Sequence, residues 1–162
     1  MILCNLFHSL KHKLIGKVKQ NVYIWADFCN KEEKEGETKD YCDKTETQYS
    51  CKAGKKYFGR GPLQLKWNYN YGAAGSSIGL DLLNHPETVA TNNVTSFKTA
   101  LWFWMTNVRP VVSQGFGATI RVIKGAIACN GGNPYTVKAR VEYYNQYCNQ
   151  LGVTPGNNNL LC

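Results

Sequence analysis

Between Lys55 and Gly72 the chain reads KKYFGRGPLQLKWNYNYG, eighteen residues that hold five aromatic rings, three amide side chains, three glycines and a proline. Tyr57, Phe58, Trp67, Tyr69 and Tyr71 offer flat faces on which a pyranose ring can lie. Gln64, Asn68 and Asn70 can donate to and accept from hydroxyl and acetamido groups. That is the chemistry of a sugar-binding cleft. The same rings also suit a buried aromatic core, and composition alone leaves both readings open.

Other chemistries find less support. Seven cysteines occur without any CxxC pair, which favours disulfides in an oxidising compartment over zinc or thioredoxin-like sites. Three histidines are present, and none stands in a Cys/His arrangement suited to nucleophilic catalysis. His8 and His12 are four residues apart and could share a helical face as metal ligands, but two solvated histidines in a basic segment is the simpler reading. No metal and no cofactor is expected. The formal charge of +8 and pI near 9.1, with lysines at 11, 13, 17 and 19, raise nucleic acid as a partner. No helix-turn-helix, zinc-finger or RNP-type sequence accompanies that charge, and a basic surface equally suits acidic cell-wall polymers. No apolar run approaches the ~18 residues of a spanning helix, so no membrane partner is expected.

The elements that must position these residues are mainly helical after residue 90. Val137, Val141, Tyr144, Cys148 and Leu151 fall on one helical face over 136–151, with Thr136 as N-cap and Gly152 as the stop. Residues 95–106 read as a second helix, apolar nearly all round and hence buried between neighbours. Residues 117–128 read as a third. Residues 30–62, rich in charge and glycine, read as loops and a short hairpin. Length and 43% hydrophobic content suit one compact monomeric domain. Asn93-Val94-Thr95 satisfies the N-glycosylation pattern at the start of the second helix.

The aromatic run, followed by SFKTALWFWM (96–105), GFGATIRVIKGAIAC (115–129), ARVEYYNQYCNQLGV (139–153) and the terminal Cys162, resembles the plant family 19 chitinases, with spacing most like the short-looped class IV members. Together with Phe28-Cys29 and KDYCD at 39–43, the resemblance covers about residues 28–162. It implies a mainly α, lysozyme-like α+β domain with a loop-built cleft. It also implies hydrolysis of β-1,4-linked N-acetylglucosamine polymers with inversion, chitin or its oligosaccharides as partner, a role in cell-wall breakdown and plant defence, and secretion or vacuolar targeting. Cys42 pairs with Cys51 and Cys129 with Cys162 by the same resemblance, leaving Cys148 as a buried thiol and Cys29 without its family partner, Cys4 being the one remaining candidate. Residues 1–27 do not match, MILCNLF is too short for a convincing signal peptide, and the first lobe reads as incomplete. The expectation is a truncated or mis-joined N-terminus.

An inverting glycosidase needs a protonated carboxyl on the leaving oxygen and an ionised carboxylate that activates water on the opposite face. Aligned without gaps on Phe28-Cys29 and Lys39–Cys42, the family base falls on Glu33, within the mixed-charge run KEEKEGETKD that would otherwise read as a solvated face. The family's general acid falls on Ile24, which cannot donate a proton; Asp27 lies three residues along. Lys66 stands where the family has serine or threonine to hold the water, Lys124 replaces an asparagine, and Ala128 replaces a glutamate. Gln64, Tyr69, Asn70 and Arg140 match the family's substrate-contacting positions, and Trp67 joins them as a stacking ring. The resemblance thus implies a binding half kept better than the catalytic half. Activity is expected to be strongly reduced or lost, leaving a chitin-oligosaccharide binder or a non-functional fragment as alternatives.

Overall fold

The computed structural model describes residues 32–156 and 159–162 of the 162-residue chain. It is mainly α-helical and lysozyme-like, and it divides into two compact units, one ending at Trp102 and the other running from Phe103 to Cys162.

In the first unit a long loop region precedes three helices: α1 (Asn68–Ile78), the single turn α2 (Thr88–Thr91) and α3 (Asn93–Phe103). The hairpin expected within residues 30–62 is reduced to isolated antiparallel bridges, Glu32 with Arg60 and Arg60 with Leu65. Helix α1 begins inside the aromatic run and ends where Gly79 takes the left-handed conformation that a glycine adopts without penalty. Tyr57, Phe58 and Tyr71, offered above as sugar faces, are core: each is at most 3% exposed, and the Tyr57 and Tyr71 rings lie 5.5 Å apart. Arg60 is buried among them. Its guanidinium lies 3.7 Å over the Phe58 ring and donates to Glu32 Oε1, the Lys56 carbonyl and the Tyr71 hydroxyl. Tyr71 Oη in turn donates to the Phe58 carbonyl at 2.7 Å, and burial pushes its phenol well above the ordinary value. A cation enclosed by this many acceptors needs no substrate to satisfy it.

Asn68 is fully buried, so it is structural and not a sugar contact. Its amide closes the 43–49 loop by accepting from the Asp43 N–H and donating to the Asp43 and Tyr49 carbonyls. The Cys42–Cys51 disulfide ties the same loop. Gly72 is required where Tyr49 crosses α1, since a Cβ there would fall inside the Tyr49 ring.

Helix α3 departs from expectation. Its buried residues are Thr95 and Thr99, whereas Val94 and Leu101 are more than 60% exposed. Hydrophobicity around a helix marks which sides can be buried; the neighbours decide which sides are. Asn93 is exposed at the first turn, while Thr95 of the sequon is buried.

In the second unit the chain passes through a π-type turn (Trp104–Val108) and a 3₁₀ segment (Arg109–Gln114) into α4 (Phe116–Ala128) and α5 (Pro134–Leu151). Ile120, Ala128, Cys129 and Val137 form the buried core between α4 and α5, flanked by Phe116, Val141 and Cys162. Phe116 stacks on Tyr144 at 4.3 Å. The N-cap of α5 is Asn133, one turn ahead of the Thr136 expected from sequence. Its side chain accepts from the Thr136 N–H, and Pro134 occupies the first helical position, where a missing N–H costs nothing. Gly152 ends the helix as expected, with φ of 67°. Of the predicted face, Val137 and Cys148 are buried, and Leu151 is 76% exposed at the helix end. The Cys129–Cys162 disulfide fastens the C-terminus to this core, and Cys148 is a free, buried thiol.

Candidate functional site

Glu33 is held from four directions. Its backbone N–H donates to the Gly59 carbonyl at 2.7 Å, and its Oε2 accepts from the Gly59 N–H at 3.2 Å, so one glycine fixes both ends of the residue. Oε1 accepts from Lys66 Nζ at 2.9 Å, Tyr41 Oη at 3.0 Å and Lys39 Nζ at 3.2 Å. The side chain is 15% exposed, so the mixed-charge run is not a uniformly solvated face. Partial burial works to raise the carboxyl pKa, but the hydrogen bonds from Lys66, the Gly59 N–H and Lys39, with the Lys66 charge, outweigh it and bring it from 4.5 down to about 2.

Gly59 has a second duty. A Cβ at that position would stand 2.9 Å from both Gln64 Oε1 and Lys66 Cε, so a larger residue there would push the outer ends of these two flexible side chains aside and disturb the contacts around Glu33. Lys66 is followed by Trp67, whose φ of 74° and ψ of 142° form a conformation normally left to glycine, at a cost of roughly 1–3 kcal/mol. The Trp67 N–H is secured by the Tyr57 carbonyl at 2.9 Å. Its ring meets Tyr41 edge-on at 5.3 Å and lies nearly parallel to Tyr69 at 6.1 Å. Trp67 and Tyr69 are half-buried, the state in which a ring can still offer a face to a ligand. Gln64, also half-buried at positive φ, donates to the Gly61 carbonyl, and Asn70 donates to the Lys66 carbonyl at 2.8 Å.

The first unit therefore gathers Glu33, Lys66, Trp67, Tyr69, Gln64 and Asn70 from two loops and the first turn of α1. Tyr41 and Lys39 belong to the same cluster and were not singled out from sequence, although both lie in the KDYCD segment. The Gly59 N–H has no side chain by which to be found. Arg140 stands on α5 in the second unit, where burial lowers its pKa and its Nε is buried without a hydrogen-bond partner among the described residues. Lys124 interrupts α4 with a non-helical φ of −144°, and Ala128 is in the α4–α5 core. Ile24, Asp27, Cys4, Cys29, His8 and His12 lie outside the described residues.

Chemically, this carboxylate is ionised but poorly placed to accept a proton. A carboxylate offers about four acceptor sites; three donors converge on Oε1, and the Gly59 N–H occupies one site on Oε2. What remains for water is a single direction on Oε2. Lys66→Ser is expected to raise the Glu33 pKa from about 2 toward 4.5, readable as a shifted carboxylate titration by carbon NMR. A midpoint unchanged in that variant would show that Lys66 does not govern the group. The sign for stability follows: with its folded pKa depressed, Glu33 stabilises the fold above the unfolded value of 4.5, and this contribution is lost as pH falls through about 2.

A lysozyme-like helical body carrying a loop-held glutamate and a pair of stacked rings is the architecture of a lysozyme-type glycoside hydrolase. The chain belongs to glycoside hydrolase family 19, whose model, described as chitinase class I, matches residues 5–114 and 107–162. Endochitinase EP3 of Arabidopsis thaliana is 64% identical over 131 residues, covering 81% of this chain and 48% of the relative. Chitinase 4 of rice, Oryza sativa subsp. japonica, is 60% identical over 131 residues, 81% and 46% of the two chains. This chain thus spans about half the length of the curated relatives it matches. Among solved structures, the class IV family 19 chitinase from Zea mays superposes with a TM-score of 0.79 at 48% identity, covering 99% of this chain and 72% of that one.

Proposed function

We propose that the chain binds β-1,4-linked N-acetylglucosamine oligomers on the face built by Gln64, Trp67, Tyr69 and Asn70, and hydrolyses them weakly or not at all. The observation that carries this reading is Lys66 Nζ at 2.9 Å from Glu33 Oε1. The base position is occupied by a glutamate, but an ammonium sits against one of its oxygens and leaves a single direction on the other for water. General-base catalysis needs an acceptor whose pKa lies near the working pH, and a carboxylate held at about 2 is far below it. Ile24 at the general-acid position removes the other half of the chemistry, because an alkoxide leaving group then departs unprotonated. The stacked pair Trp67–Tyr69 and the adjacent amides are the features suited to sugar rings. Two disulfides accord with a secreted or vacuolar location. No cofactor enters the proposal, since two carboxylates suffice for the family's acetal chemistry.

Calorimetric titration with N-acetylglucosamine tetramer tests the binding half. Trp67→Ala is expected to cost on the order of 1 kcal/mol, about fivefold in affinity, through the lost ring face. Tyr69→Ala and Asn70→Ala should weaken binding in the same direction. Equal affinity in all three variants and the unsubstituted chain would contradict the proposal.

A further inference from the structure

We infer that Asn130 is a built deamidation site, at which the peptide nitrogen of Gly131 closes on the Asn130 side chain with the Arg121 guanidinium assisting. Asn130-Gly131 is the one Asn-Gly step in the sequence, and it lies in the exposed turn between α4 and α5. Three features of the turn favour the reaction. Neither the Gly131 N–H nor the Asn130 Nδ2 makes a hydrogen bond among the described residues, so nucleophile and leaving group are both unencumbered. A Cβ on Gly131 would meet nothing within 4 Å, so no neighbouring group crowds the space beside Gly131. Arg121 Nη1 lies 3.2 Å from Asn130 Oδ1, where negative charge accumulates as the nitrogen adds to Cγ.

The step balances without an added reagent other than water. Gly131 N gives up its proton to solvent and bonds to Asn130 Cγ; the Cγ–Nδ2 bond breaks and ammonia departs with a proton from solvent. Water then opens the cyclic imide at either carbonyl, leaving aspartate or isoaspartate. Aspartate exchanges the hydrogen bond between a neutral amide and the Arg121 guanidinium for an ion pair. Isoaspartate inserts a methylene into a turn closed by Gly132 N–H to Cys129 C=O and Asn133 N–H to Ala128 C=O, one residue from the disulfide and three from the α5 N-cap.

No other asparagine in the sequence is followed by glycine, and several of the described ones are further constrained. Asn133 is followed by Pro134, which has no N–H. The Asn92 Oδ1 is committed to the Thr95 N–H, and Asn84 Nδ2 to Asp81. Asn68 and Asn70 are in α1, with side chains that donate to carbonyls.

The test incubates the folded, disulfide-intact chain in mildly alkaline buffer and maps conversion by peptide mass analysis together with isoaspartyl methyltransferase labelling. Conversion is expected at Asn130 ahead of every other asparagine among residues 32–156, to be slowed several-fold by Arg121→Gln, and to vanish at that position in Asn130→Ala. Arg121 is exposed, so its replacement leaves the α4–α5 core intact, which circular dichroism checks. Conversion at Asn130 in the reduced, unfolded chain but not in the folded one would overturn the proposal, since the fold would then protect the site. An Arg121→Gln rate equal to that of the unsubstituted chain would overturn it as well.

Discussion

Replacing Ile24 by glutamate and Lys66 by serine in the same chain is expected to raise cleavage of N-acetylglucosamine hexamer by at least about 10²-fold over the unsubstituted protein, the lower end of what general-acid assistance supplies. Neither single substitution should reach that gain. On the proposed reading, Ile24→Glu supplies the missing proton donor but leaves Glu33 beside Lys66, 2.9 Å away. Lys66→Ser frees the carboxylate and makes room for a water but leaves the glycosidic oxygen without an acid. The two changes act on different steps of one displacement, so their effects should be strongly non-additive. Chromatography of the products over time reads the outcome. If Ile24→Glu alone gives the full increase, the Lys66–Glu33 contact does not hinder the chemistry and the account of the site is wrong.

Asn68→Ala is expected to destabilise the fold by about 3 kcal/mol, because each of three partly buried backbone groups loses its partner at roughly 1 kcal/mol, the low end of the range for an unmade bond. Those groups are the Asp43 N–H, the Asp43 carbonyl and the Tyr49 carbonyl. The loop they belong to leads back through Tyr41 to Glu33, so loosening it should also loosen the candidate site. Asn70→Ala is the control, since it removes one bond to the Lys66 carbonyl from a half-exposed residue and should cost under about 1 kcal/mol. Urea denaturation measures both. Near-equal losses for the two variants would show that Asn68 is not the clamp of the 43–49 loop.

The contrast between these two asparagines marks where sequence reading stopped. Both sit in one polar-aromatic run, and composition cannot say which amide turns inward. Helix α1 decides it: positions 68, 71, 72 and 75 face the core, while 69 and 70 lie toward the site. The same helix sends Tyr71 into the core and leaves Tyr69 beside Trp67. The run lacks the apolar spacing of an amphipathic helix, since glycines and amides stand where a packed face usually has aliphatic groups. α5, with Val137 and Cys148 inward and Gly152 as its stop, was legible because its period and terminal glycine agree. Its start lies one turn before the expected Thr136, because Asn133-Pro134 is as good a cap and the order of residues does not rank the two. α3 was legible as a helix but not in its burial, which depends on what packs against it. The contact between Lys66 and Glu33 joins residues 33 apart in sequence, a relation that no local pattern contains.

A glycosidase site can lose turnover while keeping its ligand, because ring stacking and amide hydrogen bonds act on the ground state, whereas proton donors and acceptors act in the transition state. Trp67, held in a strained backbone conformation between Tyr41 and Tyr69, belongs to the first group. On the proposed reading Glu33 belongs to the second, with Lys66 Nζ held 2.9 Å from its Oε1. The most direct test is NMR of the purified chain with N-acetylglucosamine hexamer, following ligand-induced shifts and the anomeric product signals in one sample. The account predicts shifts on binding with little or no release of new reducing ends. Release of α-anomer at the rate of an intact family 19 chitinase run alongside would contradict it.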